Sequence, residues 1–173
     1  GTEFYSLREY VPGDPFKNIN WKAFARTGDL MINEKCRDAV TDLYIILDSR
    51  DIARIGTVLK NPLEMGTVAA ASLASFFIKR RDSVSLTIYD EKLSFLPPDT
   101  GDKQYFKILS SLAGVAPRGT MPLQAVTNSL AARFSRGSPV FVISSCEGDG
   151  TVPSAIRDLV GRGHEVTVLS PSS

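Results

Sequence analysis

At 173 residues the chain is long enough for one domain with a sizeable core, and its 43% hydrophobic and 23% charged residues are those of an ordinary globular protein. A formal net charge of +1 supplies no nucleic-acid footprint, which needs a dominant basic face. Cys36 and Cys146 make neither a disulfide framework nor a metal-ligand spacing and fit a reducing compartment, while the lack of a signal peptide or of any apolar run near about 18 residues predicts a soluble, cytoplasmic segment with no membrane contact of its own.

Residues 1–40 mix charge and aromatics without helical or strand periodicity: Glu3-Phe4, Leu7-Arg8-Glu9-Tyr10, Pro12-Gly13-Asp14, Ile19-x-Trp21 and Ala25-Arg26-Thr27-Gly28. The pattern predicts an irregular N-terminal extension packed on the domain that follows, at 41–173. Two roles stand for it. Tyr10, Phe16, Trp21 and Phe24 among Arg8, Asp14, Lys22 and Arg26 make a protein-binding surface, since aromatics and arginine are enriched at hot spots. The preferred reading is that the segment folds back, burying Trp21 and pairing its charges. The chain opens at Gly1-Thr2-Glu3 inside what reads as structured sequence, which points to a piece of a longer protein.

The domain begins with Asp42 to Leu47, a β-branched and aliphatic run that stops on Asp48 and reads as a buried parallel strand delivering a carboxylate to a crevice. A helix follows from Pro62 to Ile78. Asn61 is its predicted cap, Glu64 closes a capping box, and apolar residues nearly all round predict burial with close backbone approach. Lys79-Arg80-Arg81 complements the carbonyl end of that helix. Ser83 to Tyr89 is the next strand, with a short antiparallel edge partner near 92–96. Asp102 is expected to cap a helix that turns Tyr105, Phe106, Leu109 and Leu112 inward, closing near Gly114. A helix from Pro122 to Phe134, a strand at 139–143, a helix after Thr151 with Ile156, Leu159 and Val160 inward, and a strand at 165–169 complete the chain. This alternation predicts an α/β fold: a doubly wound, mainly parallel sheet with an antiparallel edge strand.

Ligands of such sheets bind outside the carboxyl ends of the strands. The loops at 48–54, 118–122 and 144–150 converge there and bring Asp48, Ser49, Asp51, Thr120, Ser144, Ser145, Glu147 and Asp149. Plainer roles are available to several of these. Thr120 and Thr151 suit helix N-caps, and Glu147 and Asp149 suit solvated turns. Cys146 lies at the carboxyl edge and His164, the only histidine, at the amino edge, so they form no dyad, and an inert cysteine is expected. Neither a P-loop nor a dinucleotide fingerprint is present. Gly148-Asp149-Gly150 before a helix leaves one alternative: an enzyme or sensor binding a phosphorylated small molecule at this edge.

The motifs at 3–34, the strand ending in Asp48, Leu96-Pro97-Pro98, Gly119-Thr120 and Val142-Ile143-Ser144 resemble the MoxR-associated family of von Willebrand factor A-like domains, domain of unknown function fifty-eight. The resemblance covers nearly the whole chain. It implies a metal-ion-dependent adhesion site: an Asp-x-Ser-x-Ser loop after the first strand, a later threonine and an aspartate after the fourth strand, holding Mg²⁺ through hard oxygens. This sequence keeps Asp48 and offers Thr120. It has Arg50 and Ile52 where serines are expected and Ser145 where the aspartate is expected, and Ser49 and Asp51 restore the loop only with a one-residue shift. Weak or absent Mg²⁺ binding and no other cofactor are therefore expected. The Arg50 guanidinium is able to sit where the cation would be. With no base–nucleophile pair, cofactor loop or complete metal set, a non-catalytic interaction domain is expected, and the family resemblance implies that it is an accessory factor of a MoxR-type AAA+ ATPase. Its binding edge would be Asp48, Ser49, Arg50, Asp51, Thr120, Ser145 and Glu147, with Arg8, Glu9, Asp14, Trp21 and Arg26 as an N-terminal motif. Many members carry two membrane helices upstream, so the full-length chain is expected to be membrane-anchored.

Overall fold

The computed structural model describes residues 3–37, 42–50 and 62–171. The chain divides into two compact units, 1–40 and 41–173. In the first, strand β1 (Glu3–Glu9) pairs antiparallel with β2 (Met31–Arg37), from Glu3 opposite Arg37 to Glu9 opposite Met31. A 3-10 turn at Phe16–Asn18 and helix α1 (Trp21–Thr27) fill the connection. Asn20 caps α1 by accepting from the Ala23 N–H at 3.0 Å, and Gly28 ends it in the left-handed region. The expectation of an irregular extension is thus corrected. The strands leave little trace in the sequence because, among the residues of this unit whose burial is described, the buried apolar ones are few: Ile19, Ala23 and Ile32. Two strands with so small a core need no sustained apolar–polar alternation. Trp21 is corrected as well: it is 60% exposed and meets Phe24 edge-on, with ring centroids 6.0 Å apart.

The second unit holds, among the described residues, five strands: β3 (Asp42–Asp48), β4 (Ser83–Tyr89), β5 (Leu93–Asp99), β6 (Val140–Ile143) and β7 (Val166–Leu169). Their order is β5-β4-β3-β6-β7, all parallel except β5. The helices are α2 (Pro62–Lys79), α3 (Gly101–Ala113), α4 (Leu123–Leu130) and α5 (Val152–Gly161). Alternate residues of β3 serve two cores. Leu43, Ile45 and Leu47 pack with Ala70, Ala74 and Ile108 of α2 and α3, whereas Tyr44 and Ile46 pack with Leu123, Val126 and Leu159 of α4 and α5. Burial on both faces is why this strand reads as an unbroken apolar run. Gly66 lets α2 approach closely, because a Cβ there would lie 3.1 Å from Leu47 Cδ1 and 3.2 Å from Ile143 Cγ2.

Several local expectations change. Helix α2 is buried on one side only, with Met65, Val68 and Phe76 exposed. Helix α3 turns Gln104, Ile108 and Leu112 inward and leaves Phe106 67% exposed. Gln104 is tolerated in the core because its amide donates to the carbonyls of Val84 (2.7 Å) and Pro97 (2.9 Å). Thr100, not Asp102, stands at the start of α3, and no side chain caps it. Helix α4 stops at Leu130, followed by one 3-10 turn at Ala131–Arg133, and in α5 Val160 faces out while Val152, Ala155 and Leu159 face in. The predicted cap Asn61 lies outside the described residues.

The chain leaves β3 toward β4 on one side and later returns to β6 on the other. That reversal opens the crevice at the carboxyl ends of β3 and β6.

Candidate functional site

Strand β3 delivers Asp48 to this crevice, and the next two residues build the site around it. Ser49 donates to the Tyr89 carbonyl from both its N–H (3.0 Å) and its hydroxyl (3.2 Å), tying the turn to the end of β4. The Arg50 N–H then donates to Asp48 Oδ1 at 3.0 Å. The Arg50 side chain folds back onto the same carboxylate, Nε to Oδ1 at 2.8 Å and a terminal nitrogen to Oδ2 at 2.7 Å. Its other terminal nitrogen donates to Asp149 Oδ2 at 2.7 Å and to the Met121 carbonyl at 3.2 Å. The guanidinium carbon lies 4.9 Å from the centroid of the Tyr89 ring, a cation–π contact. Side-chain exposure is 2% for Arg50, 1% for Asp48 and 4% for Asp149, so this is a buried three-charge cluster.

The surrounding loops complete it. Ser144, just past β6, donates its hydroxyl to Asp48 Oδ2 at 2.7 Å and accepts from the Cys146 N–H at 3.0 Å. Asp149 Oδ2 also accepts from the Leu123 N–H (2.9 Å), and Oδ1 accepts from the N–H (2.9 Å) and hydroxyl (2.6 Å) of Thr151. The Arg118 N–H donates to the Ser49 carbonyl and the Met121 N–H to the Asp90 carbonyl. Between them Gly119 has φ +78°, and a Cβ there would fall onto the Glu91 backbone nitrogen and within 2.6 Å of the Asp90 carbonyl carbon. Only glycine fits that crossing.

The electrostatics follow from burial and pairing. Burial by itself disfavours charge on Arg50, but its hydrogen bonds and charge pairing with Asp48 and Asp149 outweigh this and raise its pKa further. Burial likewise pushes Asp149 up, yet hydrogen bonds from Thr151, Leu123 and Arg50 prevail and hold it at about 2. Burial and the Asp48 charge raise the Tyr89 phenol, whose hydroxyl is buried without a partner of hydrogen-bond geometry. The Cys146 thiol is pushed up by burial, and its backbone adopts φ 61°. A thiol kept protonated is a poor nucleophile. His164 is buried before β7, its Nδ1 2.9 Å from the Ser138 carbonyl, at the opposite end of the sheet from Cys146.

Of the residues picked out from the sequence, Asp48, Ser49, Arg50, Ser144 and Asp149 come together. Asp149 corrects the expectation of a solvated turn. Thr151 corrects the expectation of a cap, since its hydroxyl is turned onto Asp149 and makes no capping bond. Thr120 is exposed and does not cap either, because α4 starts at Leu123 with Pro122 before it. Ser145 is half-buried and accepts weakly from the Glu147 N–H at 3.5 Å, while Glu147 is exposed. Asp51 and Ile52 lie outside the described residues. Tyr89 and the Met121 carbonyl join the cluster without being singled out by any motif. Tyr89 had a signal, because it closes β4 in register with Asp48 as Asp48 closes β3.

The oxygens that a hard cation would need are taken: both Asp48 oxygens and Asp149 Oδ2 face the guanidinium, and the exposed Thr120 forms no part of the cluster. This donor set does not fit Mg²⁺ with Arg50 in place. Among the described residues, no group of three His, Cys, Asp or Glu is arranged to hold a metal.

In the N-terminal unit, both terminal nitrogens of Arg8 reach Asp14 at 2.8 Å, Val11 N–H donates to the same carboxylate, and Arg8 Nε lies 3.3 Å from Glu34. The Arg8 hydrogen bonds first, then that of Val11, lower Asp14 to about 2. Tyr10 stacks on Phe16 at 5.9 Å, and Phe16, Glu9 and Arg26 are exposed.

A mainly parallel sheet covered by helices, with a polar cluster above its central carboxyl ends, makes this a von Willebrand factor A-like α/β domain. Solved structures agree on the fold. An aerotolerance-related membrane protein from Bacteroides fragilis is 22% identical with a TM-score of 0.62, over 75% of this chain and 67% of its own. The conserved hypothetical protein BatB from Bacteroides thetaiotaomicron is 21% identical with a TM-score of 0.61, over 75% and 66%. Manganese-loaded TRAP from Plasmodium vivax is 18% identical with a TM-score of 0.54, over 81% and 60%. The chain thus spans about two thirds of the first two and less of the third. The profile of the family described as Protein of unknown function DUF58 matches residues 6–170, and the chain belongs to that family. No curated protein matches it. No described helix is long and apolar enough to cross a membrane.

Proposed function

We propose that this is a non-catalytic protein-interaction domain, an accessory factor of a MoxR-type AAA+ ATPase, which presents a degenerate adhesion site at the carboxyl edge of its sheet. The observation that carries the reading is the buried Asp48–Arg50–Asp149 cluster. It fastens three loops into one rigid base, and the exposed Thr120 and Glu147 stand on two of those loops. Its charged groups are all saturated by one another, which suits a scaffold and leaves no free base or nucleophile. The family resemblance supports the identity of the ATPase partner. The description of one fold relative as a membrane protein supports membrane anchoring of the full-length chain.

The phosphorylated-ligand alternative is disfavoured by Asp149. Its carboxylate already accepts from the Thr151 N–H at the start of α5, where a phosphate would have to bind, and it would repel one. The test is capture of the cognate MoxR-type ATPase by the wild-type domain, Glu147→Arg and Thr120→Arg. We expect binding weakened by roughly tenfold or more in the variants, with unchanged thermal stability, as for exposed interface positions. No association by the wild type, together with turnover of a phosphorylated compound, would overturn the reading.

A further inference from the structure

We infer that Arg50 is a tethered resident cation, standing where an adhesion site of this kind would take a divalent ion, so that the edge is assembled without metal and conceals a latent metal site beneath the guanidinium. The inference rests on reading this edge as a degenerate adhesion site and not on the identity of the ATPase.

Two carboxylates, Asp48 and Asp149, are buried at the ends of different loops. Left unpaired, they would repel each other and suffer desolvation, so the fold requires a cation between them. Arg50 supplies it in the form best matched to carboxylates, a fixed planar fork whose Nε and terminal nitrogens make four hydrogen bonds to Asp48, Asp149 and the Met121 carbonyl. The backbone N–H of the same residue closes the turn on Asp48, so the cation and the loop that places it are one residue. The groups converging on the guanidinium, two carboxylates and a main-chain carbonyl, are hard oxygen donors, and the Ser144 hydroxyl on Asp48 Oδ2 adds another. Hard divalent ions use this donor chemistry. Asp149, rather than the Ser145 that stands at the expected position, is the second carboxylate.

Removing the guanidinium and leaving a hydroxyl should therefore uncover the site. The experiment is a Mn²⁺ titration, followed by calorimetry and by thermal unfolding, of the wild type, Arg50→Ser, Arg50→Lys and the double variant Arg50→Ser with Asp149→Asn. The wild type and Arg50→Lys should show no saturable binding below about millimolar Mn²⁺, and EDTA should leave their melting temperatures unchanged. Arg50→Ser should bind Mn²⁺ at least about tenfold more tightly and melt higher when it is present, and Asp149→Asn should abolish both gains. If Arg50→Ser is unfolded in EDTA, Mn²⁺ should restore its circular-dichroism spectrum. Three results would overturn the inference: submillimolar Mn²⁺ binding by the wild type that is lost on Asp48→Asn, a folded Arg50→Ser that binds no Mn²⁺, or an unfolded one that Mn²⁺ does not restore. Failure of the ATPase capture leaves each of these outcomes readable.

Discussion

The guanidinium of Arg50 is bidentate to the carboxylate of Asp48, a residue only two positions earlier, while the Arg50 N–H reaches the same oxygen Oδ1. An aspartate carboxylate accepts readily from the N–H two residues on, and here the guanidinium of that same residue joins it. Ser49 holds the turn, through two bonds to the Tyr89 carbonyl, and Asp149 receives the outer nitrogen of the fork. The carboxyl ends of β3, β4 and β6 are thereby joined through one arginine.

Removing one member of this cluster should be far more costly than removing a surface pair. Asp149→Ala strips acceptors from Arg50, Leu123 and Thr151 together and leaves buried donors unsatisfied, although Arg50 stays paired with Asp48, for an expected loss of about 2–3 kcal/mol. Asp14→Ala breaks a partly exposed pair with Arg8 in the N-terminal unit and should leave stability nearly unchanged. Urea denaturation of the two variants beside the wild type checks the contrast. Similar losses for both would show that burial of the Arg50 cluster is not what gives it weight.

Asp149 also sets an acid limb. Its folded pKa of about 2 lies below the ordinary 3.8, so the unfolded chain binds its proton first as pH falls. The stabilisation is complete above about pH 5 and drains away as pH drops through 3.8 toward 2. A shift of this size corresponds to roughly 2 kcal/mol. The Asp149→Asn variant should have a flatter stability profile between pH 5 and 2 than the wild type in chemical denaturation, and an unchanged slope would refute the assignment.

The fold was legible where burial is two-sided. The runs at 43–47 and 139–143 announce strands because both faces are covered, and Asp48 announces itself by ending one of them. The hairpin of the N-terminal unit was not legible, because a two-stranded ribbon with so few buried apolar residues among those described (Ile19, Ala23 and Ile32) leaves no periodic trace. In the site, Arg50 stands out only against the family resemblance, because it occupies a position where that resemblance implies a hydroxyl ligand of a cation. Asp149 hid in Gly148-Asp149-Gly150, which looks like a solvated turn. Its burial depends on three donors from α4, α5 and the β3 turn that local sequence cannot bring together. The outward faces of Phe106, Val160 and Phe76 run against expectation for a related reason: an apolar residue in an amphipathic helix gives no sign of which of two adjacent stripes meets the sheet.

Gly119 should be intolerant of any side chain. Its φ of +78° and its contact with the Asp90–Glu91 backbone combine conformational strain with a main-chain clash that no rotamer change relieves. We expect Gly119→Ala to lose about 2 kcal/mol or more. Gly13→Ala, also at positive φ but with open space around its Cβ position, should lose only about 1 kcal/mol. Thermal melts of the pair separate the clash from the strain, and equal losses would mean that the loop moves aside freely.

Trp21 provides the final test, because burial and exposure demand opposite results. A tryptophan folded into a core would cost about 3–5 kcal/mol on truncation to alanine. Here the indole is 60% exposed, begins α1 and meets Phe24 edge-on, while Ile19, Ala23 and Ile32 of the same unit are buried. Trp21→Ala should therefore change stability by no more than about 1 kcal/mol, the size of an aromatic pair and some partly buried surface. Ile32→Ala, at 2% exposure, should lose about 2–4 kcal/mol from the same unit. Intrinsic tryptophan fluorescence gives a second reading: as the chain's one Trp, residue 21 should emit near the solvent-exposed limit and be quenched readily by acrylamide or iodide. A blue-shifted, protected emission together with a large loss of stability would return Trp21 to the interior. The expected combination, a stable variant with an accessible indole, leaves Trp21 and Phe16 free to meet a partner, and capture of the ATPase by Trp21→Ala would then report on that surface without interference from unfolding.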